Sequence, residues 1–529
     1  LLLPSLFHRK EMESSFDRVG AAFVATAVVV IGYYVWWRWS ESTRVKNFVR
    51  GSSSDRLPSP MPALPRWCGF LGGHSLLLQP LTRVAQFERW AEELGGDYEL
   101  HIEGTRVVIV TAPSDIRRIL NLRPTTFKRG IRPDELTWAL QEVGIKDSMG
   151  FTEGKVWGRS RRLVSPYING HNFVTLLPVV AKIGERFLGI VGNKADKGEI
   201  MKAKDTFARF THDVIAMVGF GLDTGSIMAT AERPCHSYDF IRVSTSACIR
   251  LAKMPLDVWG WKFLPMLSWV RNAKKHVRLM ENVIQGAMDA VRLEPKAPGA
   301  ASKGSIDTSA GGNLLRKLAG ALHGKGRSGR KTLSTREVMD EATSLLIAGT
   351  ESTSLTLCWA MYYLSKSPEA FLRCRAEALE TAPMSDGMVS TGEQLSKLEF
   401  CSAVFKEVLR LRMPAPVLMF HGTEDFTLKN GFVVEEGTGI IVLLRAAGVS
   451  DEWFTRGKEF VPERWIEAER EEALLGKGAA GDTKGTVAHA AEAYLAFGHG
   501  PRLCPGQDMA KAEGAMMIAA ICARFDVSV

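Results

Sequence analysis

The chain has few cysteines for its length, and they are scattered. Eight cysteines occur among 529 residues, and no two of them form a C-x-x-C pair. A disulfide-bonded secreted scaffold and a zinc ribbon both need closely spaced cysteines, so the sequence indicates neither. The spacing favours a protein that works in a reducing compartment.

The chain also has only a small excess of positive over negative charge. Lys and Arg together exceed Asp and Glu by nine, which over this length is too small an excess to indicate a nucleic-acid partner. Apolar residues make up 46% of the chain and charged residues 24%. This composition is typical of a globular protein and excludes a largely disordered chain and a multispanning membrane protein.

Long uncharged runs are limited to one place near the start of the chain. Val19 to Trp37 contains 19 residues without a charge, about 28 Å of helix, close to the ~30 Å hydrocarbon core of a bilayer. We predict an N-terminal segment over residues 1–18, a single transmembrane anchor over 19–37, and a basic, proline-rich tether over 38–65. A buried core helix and a cleaved signal peptide are the alternatives.

Basic residues are more frequent after the apolar run than before it, which favours a cytosolic position for the rest of the chain. Over residues 66–529 we predict one large α/β domain, mainly α. Its first strands form a hairpin near Tyr98–Leu100 and Val107–Val110, and a capping box at Ser334 and Glu337 begins a long helix that ends near Lys366. Low-complexity stretches at 294–312 and 467–490 are predicted loops.

The segment F-G-H-G-P-R-L-C-P-G, residues 497–506, carries the strongest chemical signal. Its glycines allow φ > 0 and close backbone approach. The backbone N–H groups of such a turn, and the helix expected to begin near Gly506, favour a thiolate at Cys504. A thiolate held in this way is a nucleophile or a metal ligand. A glycine-rich turn with an incidental buried cysteine is the alternative.

This segment resembles the haem-ligand loop of the cytochrome P450 superfamily, F-x-x-G-x-R-x-C-x-G. The resemblance implies a P450 fold with small β-sheets around a buried haem b, whose iron is bound by the Cys504 thiolate. It also implies that Arg502 and His499 contact haem propionates, and that Phe497 and Gly506 belong to the same cofactor site. The family usually continues well beyond its cysteine, so we expect the chain to be cut short at its C-terminus.

Three further motifs occur in the order that the family requires. Glu407 and Arg410 form an E-x-x-R pair, which alone is more typical of a solvated helix surface. The resemblance adds Arg464 as the third member of a structural triad. Trp157 and Arg161 match W-x-x-x-R, which implies contacts with propionates. Lys155, Arg159 and Arg162 form a basic stripe on the opposite face of the same predicted helix, and a merely solvated face is the alternative.

The fourth motif is A-G-T-E-S-T, residues 348–353. Glycine and hydroxyl residues weaken the middle of a helix, although close helix packing through small residues is an equally simple explanation. The resemblance implies that Glu351 and Ser352, with Thr353 beside them, relay protons during oxygen activation. Ser352 stands where the family usually has Thr, and it lacks the methyl group that restricts χ1.

The resemblance as a whole implies a haem-thiolate monooxygenase that inserts one atom of O₂ into a lipophilic small molecule. No G-x-G-x-x-G follows a predicted strand, so we expect electrons from a separate NADPH-cytochrome P450 reductase-like donor. We expect the protein in the endoplasmic reticulum membrane, with its catalytic domain facing the cytosol. A haem-thiolate isomerase or dehydratase acting on a peroxide, and a non-catalytic haem-binding protein, are the alternatives.

Overall fold

The computed structural model describes residues 57, 83–102, 105–130, 144–168, 170–230, 232–253, 266–293, 313–323, 333–382, 387–466 and 491–529. The predicted anchor, the tether apart from Leu57, and the two low-complexity stretches lie outside these residues. Within the described ranges, no helix is long and apolar enough to cross a membrane.

Helices make up most of the described chain. They are α1 (Arg83–Leu94), α2 (Pro113–Asn121), α3 (Gly154–Val164), α4 (Gly170–Asp196), α5 (Ala203–Phe220), α6 (His236–Lys253), α7 (Ser268–Leu293), α8 (Asn313–His323), α9 (Thr335–Lys366), α10 (Pro368–Thr381), α11 (Gly392–Ser396), α12 (Glu399–Arg412), α13 (Leu444–Gly448) and α14 (Gln507–Arg524).

Two small sheets complete the architecture. The larger has the strand order β1-β2-β7-β4-β3 and consists of β1 (Tyr98–Ile102), β2 (Thr105–Val110), β3 (Phe127–Arg129), β4 (Val417–Gly422) and β7 (Gly439–Leu443). Strands β2 and β7 are parallel, and the other pairs are antiparallel. The second sheet pairs β5 (Phe426–Thr427) with β6 (Val433–Val434).

The long helix α9 runs through the middle of the helical core. Its first turn is stabilised by a capping box, in which the Ser334 hydroxyl accepts from the Glu337 amide and the Glu337 carboxylate accepts from the Ser334 amide. Helix α5 packs along one side of α9, and α12 and α14 pack along the others. The apolar side chains between these helices form the largest buried cluster of the described chain. Only a small part of the surface of α9 therefore faces open space.

Sequence patterns located the elements around the motifs correctly. The hairpin β1–β2, the capping box before α9 and the helix that follows Gly506 all occur as predicted. The mainly helical α/β class with small sheets is confirmed.

Candidate active site

Cys504 lies in a tight loop between the Gly500–Arg502 turn and α14. The Cys504 amide donates to the Phe497 carbonyl at 3.0 Å, which closes the loop on itself. Gly500 has φ +69°, and a Cβ at this position would lie 2.5 Å from the Asn121 Oδ1 atom of α2. Only glycine therefore allows the loop to pack against α2. Gly498 also has positive φ, as expected, whereas Gly506 has φ −94°.

The electrostatic surroundings of Cys504 differ in one respect from the prediction. Burial raises the pKa of the Cys504 thiol, while the Gly506 amide and the side chains of Arg161 and Lys511 oppose this shift. The donors expected from the sequence are present, but the effect of burial on the pKa is larger. Removing a thiolate from water costs more free energy than these donors supply by stabilising its charge. A cation bonded directly to the sulfur would supply the missing stabilisation.

Arg502 and Trp157 contact each other beside this loop. The Arg502 guanidinium lies over the Trp157 ring, with its central carbon 4.5 Å from the ring centroid. Arg502 donates to the Met149 carbonyl at 3.0 Å and pairs with Glu153, and its Nε is buried without a partner in the described structure. Burial, the largest influence, lowers the pKa of Arg502 to about 10. Arg161 lies near enough to Cys504 for each charge to influence the other.

Arg129, at the end of β3, joins this group of cations and was not identified from the sequence. Burial, with further repulsion from Arg123 and Arg502, lowers the pKa of Arg129 to about 10. Its buried Nε has no hydrogen-bond partner, and no described carboxylate forms an ion pair with it. Its guanidinium stacks on Phe151. Arg129 could not be predicted from the spacing of the motifs, because it is the pairing of β3 within the sheet that brings this residue to the site.

The positive charge near Cys504 exceeds the negative charge supplied by the described side chains. Glu153 is the carboxylate that forms ion pairs with Arg123 and Arg502, and it acts on Arg129 without forming an ion pair. Among the described residues, neither Arg129 nor Arg161 has a carboxylate in an ion pair. A Cβ at Gly506, two residues after Cys504, would meet no atom within 4 Å, so there is open space where the loop joins α14. Arginines that are incompletely neutralised, next to open space and to a loop that carries a thiol, fit a metal-centred cofactor with anionic substituents, as the resemblance implies for haem.

The middle of α9 offers a second open surface. Ala348 is exposed, and Glu351 and Ser352 on the same face are half-buried, although α9 is packed by other helices along most of its length. The Ser352 hydroxyl donates to the Ala348 carbonyl at 2.7 Å, so its oxygen remains able to accept a hydrogen bond. Thr353 instead lies on the buried face, at 4% exposure, which gives its predicted part in a relay no geometric support.

Glu407, Arg410 and Arg464, the residues of the predicted triad, contact one another. Arg410 binds Glu407 through two hydrogen bonds of 2.8 and 2.7 Å, and Arg464 Nε lies 3.2 Å from Glu407 Oε1. Arg410 also donates to the carbonyls of Gly448, Gly457 and Glu459. The pair therefore ties α12 to the chain segment that follows α13.

Other predicted residues lie in varied settings. Phe497 is half-buried against the core, and the Lys511 ammonium lies 5.3 Å from its ring centroid. His499 Nδ1 lies 3.4 Å from an Arg117 nitrogen of α2. Arg159 forms an ion pair with Glu337 at the start of α9. Of the predicted basic stripe, only Lys155 and Arg162 are therefore exposed.

The known proteins to which this chain is similar belong to the same family that the sequence motifs indicate. Residues 62–529 match the family model described as Cytochrome P450. The chain is 25% identical to cytochrome P450 94A1 of Vicia sativa, over 88% of this chain and 85% of that protein. It is 26% identical to ent-kaurenoic acid oxidase 1 of Arabidopsis thaliana, over 79% of this chain and 74% of that protein.

Two further comparisons extend this result. Echinocystic acid 23-monooxygenase of Saponaria officinalis is 26% identical over 70% of this chain and 66% of its own length. The fold is similar to the crystal structure of a cytochrome P450, with a TM-score of 0.67 and 20% sequence identity, over 85% of this chain and 92% of that chain.

Proposed function

The chain belongs to the cytochrome P450 family, and from this premise we propose a membrane-anchored monooxygenase that oxidises a lipophilic small molecule with electrons from a separate NADPH-dependent reductase. Family membership establishes the coarser statements: the protein is an oxygenase of the haem-thiolate class, its cofactor is haem, and it uses O₂, an organic substrate and a redox partner. The reductase, the substrate class, the anchor and the residue roles are the proposal.

The observation that carries the residue assignment is the group of arginines beside the Cys504 loop, in which Arg161 acts on the thiol and Arg129 lies near Arg502. We assign Cys504 as the iron ligand, and Arg129, Arg161 and Arg502 as partners of the haem propionates. Trp157 stacks against Arg502 and keeps its guanidinium beside the loop. Arginine suits this work because its planar fork pairs with a carboxylate through two parallel hydrogen bonds.

When bound, haem supplies the iron that activates O₂ and delivers one oxygen atom to the substrate. The chain's own groups do the rest. The Ser352 hydroxyl donates to the Ala348 carbonyl, and we assign its oxygen the role of acceptor for a hydrogen bond on the open face of α9. Glu351, half-buried on the same face, exchanges protons with water. The Gly506 amide and Arg161 stabilise negative charge on the Cys504 sulfur.

A lipophilic substrate is supported by the apolar side chains next to the open face of α9. Ile347 packs against Ile145 and Phe151, which form a small apolar cluster of their own. Two relatives are named for ent-kaurenoic acid and echinocystic acid, and we extend from these names to a small organic substrate without choosing among compounds.

The membrane anchor is supported by the sequence of residues 19–37. Each arginine placed in the middle of a spanning helix costs about 3 kcal/mol. Val28→Arg combined with Val30→Arg should therefore release the full-length protein from microsomal membranes, whereas Val28→Leu combined with Val30→Leu should not. Retention of the double arginine variant after carbonate washing would contradict the anchor. The proposed cytosolic orientation at the endoplasmic reticulum is tested by adding protease to intact microsomes. A catalytic domain that faces the cytosol should be digested, whereas one that faces the lumen should be protected.

The enzymatic proposal is tested with purified holoprotein. Binding of candidate terpenoids, sterols and fatty acids should shift the main absorbance band of the haem, and a binder should be oxidised only when NADPH and a reductase are present. Cys504→Ser should abolish the absorption band of the reduced carbon monoxide complex that is specific for a thiolate ligand, while Cys358→Ser should retain it. Rearrangement or dehydration of an organic peroxide without NADPH and without oxidation of a second compound, or a retained band in Cys504→Ser, would contradict the proposal.

A further inference from the structure

A chain of buried polar side chains lies behind the middle of α9, on the face opposite Ser352. Thr350 precedes Ser352 by two residues, and at 100° per residue the two side chains point in nearly opposite directions. His212 of α5 has no solvent exposure, and its Nδ1 atom lies 3.2 Å from the Thr350 hydroxyl. Its Nε2 atom lies 2.8 Å from the hydroxyl of Ser237, at the start of α6.

The same turn of α5 contacts this part of α9 in two other ways. The shortest hydrogen bond of the Thr211 hydroxyl, at 2.7 Å, is to the Thr350 carbonyl. A Cβ at Gly349 would lie 2.6 Å from Ile215 Cγ1, so glycine permits the two helices to approach this closely. A side chain that donates to a helix carbonyl competes with the ladder of that helix and is a recognised cause of local opening or bending.

The imidazole of His212 is suited to join two hydroxyl groups. Burial lowers the pKa of His212 to about 4, so the ring is neutral near pH 7, with one nitrogen that donates and one that accepts. Each hydroxyl can take the complementary role. The Ser237 hydroxyl also lies 3.4 Å from the Cys235 sulfur. The polar side-chain atoms of Thr350, His212 and Ser237 are thus hydrogen-bonded inside the protein. These hydrogen bonds hold the three side chains in fixed positions relative to one another.

We propose that His212 is a positioning residue for oxygen activation: through Thr350 it holds the middle of α9 in the rotational setting that directs Glu351 and Ser352 to the cofactor side. The proposal rests on the proposed function, because it presupposes the roles of Glu351 and Ser352. His212 touches neither residue. It acts by attaching the opposite face of the helix to α5, while Gly349 sets the distance between the two helices.

The competing interpretation is that the chain only joins α5 to α6, as an ordinary buried hydrogen-bond network. Variants that keep the hydrogen bond at one nitrogen of the imidazole and lose the other distinguish these interpretations. His212→Asn places an amide near the position of Nδ1 and keeps a partner for Thr350. His212→Gln places its amide near the position of Nε2, so it keeps Ser237 and loses Thr350. Thr350→Val removes the hydroxyl at nearly constant shape, and Thr350→Ser keeps it.

The experiment combines two measurements on the holoprotein of each variant. The first is hydrogen–deuterium exchange of the peptide that covers residues 345–356, which needs no turnover. The second is the fraction of consumed O₂ that is recovered as hydrogen peroxide, with NADPH and a reductase but without an organic substrate. The thiolate-specific spectrum of the reduced carbon monoxide complex confirms that the haem is bound in every variant.

His212→Gln and Thr350→Val should each speed exchange in this peptide and change the recovered peroxide fraction about two-fold or more. Thr350→Ser and His212→Asn should stay near wild type, and the double variant His212→Gln, Thr350→Val should be no worse than the more affected single variant, because both remove one contact. Ser237→Ala, which removes the other end of the chain, should leave the peroxide fraction unchanged even if it lowers the unfolding temperature.

The proposal is overturned if Ser237→Ala changes the peroxide fraction as much as Thr350→Val, if the single effects add, or if exchange rises while the peroxide fraction stays constant. Failure of the proposed function has a different signature, since wild-type protein would then consume no O₂ with NADPH and a reductase. In that event the exchange comparison alone still decides whether His212 holds α9.

Discussion

The Glu407 carboxylate and the Arg410 guanidinium meet through two parallel hydrogen bonds, and neither side chain has any exposed surface. Loss of one member leaves the other as an unpaired charge in the interior, which is far more costly than the pair itself is stabilising. Glu407 also accepts from the Val461 amide and from Trp465 Nε1, so the same carboxylate holds the segment that follows α13.

We therefore expect Glu407→Gln to lower the free energy of unfolding by about 3 kcal/mol or more. Urea unfolding followed by circular dichroism would measure the loss. Glu393→Gln makes the same chemical change in the exposed pair with Lys397 and should leave the transition midpoint in place, because solvent screens that pair. Similar midpoints for the two variants would contradict the structural role of the triad.

Replacing Arg129 should affect haem retention without lowering the stability of the haem-free protein. Arg129→Met keeps much of the apolar stem but removes a partly buried cation that has no ion-pair partner among the described residues. The haem-free protein should be no less stable than wild type, while haem transfer to apomyoglobin should become about ten-fold faster or more, as expected on loss of one partner of a buried charge pair. Lys128→Met, on the neighbouring exposed residue, is the matched control. Unchanged haem transfer would remove Arg129 from the site.

Glu341, on the buried side of α9, should make stability depend on pH. Burial raises the pKa of Glu341 to about 7, and its carboxylate accepts from the Met149 amide at 2.6 Å. A raised pKa means that the folded state holds the proton more tightly than the unfolded state, so this stabilisation is complete below about pH 4.5 and is lost as pH rises toward 7.

Glu341→Gln keeps an acceptor for Met149 and removes the charge. Its free energy of unfolding should fall less than that of wild type between pH 5 and pH 8, by on the order of 2–3 kcal/mol. Asp340, whose pKa is raised to about 6 chiefly by burial, keeps part of the slope. Glu380→Gln, on an exposed residue of α10, should leave the slope as it is. A parallel pair of curves for wild type and Glu341→Gln would refute this assignment.

The exposed members of the basic stripe can be tested as a docking surface for a reductase. Lys155→Glu combined with Arg162→Glu should slow the first reduction of the haem and flatten its dependence on ionic strength, because complementary charge steers encounter. Stopped-flow reduction across a salt series measures both. Lys197→Glu combined with Lys202→Glu reverses as much charge outside α3 and serves as the control. A rate and slope equal to those of wild type would exclude the surface.

The sequence was most informative where a local rule fixes the geometry. The capping box at Ser334, the turn glycines before Cys504 and the i, i+3 pair of Glu407 and Arg410 depend on neighbours in the chain, and each was predicted. Arg129 could not be found in this way, because the pairing of β3 with β4 brings it to the site. Arg159 was misjudged for a similar reason: helical periodicity gives its face, but Glu337, which binds it, comes from another element.

The balance of forces on Cys504 was also beyond the sequence. The donors near the sulfur could be inferred from the loop, but the depth of burial depends on how α14 packs against the rest of the core. Likewise, His212 carries no motif, since its link to Thr350 depends on the distance between α5 and α9, which Gly349 and Ile215 set.

The parallel pairing of β2 with β7 has a consequence for biosynthesis. Val107 is aligned with Gly439, so the hairpin β1–β2 leaves the ribosome more than 300 residues before the strand that completes its sheet. At about 5–20 residues per second, the edge of β2 waits for tens of seconds with unpaired amides and carbonyls. We expect nascent chains stalled before β7 to remain associated with chaperones and sensitive to protease in the hairpin, and chains stalled well after residue 443 to lose both properties together.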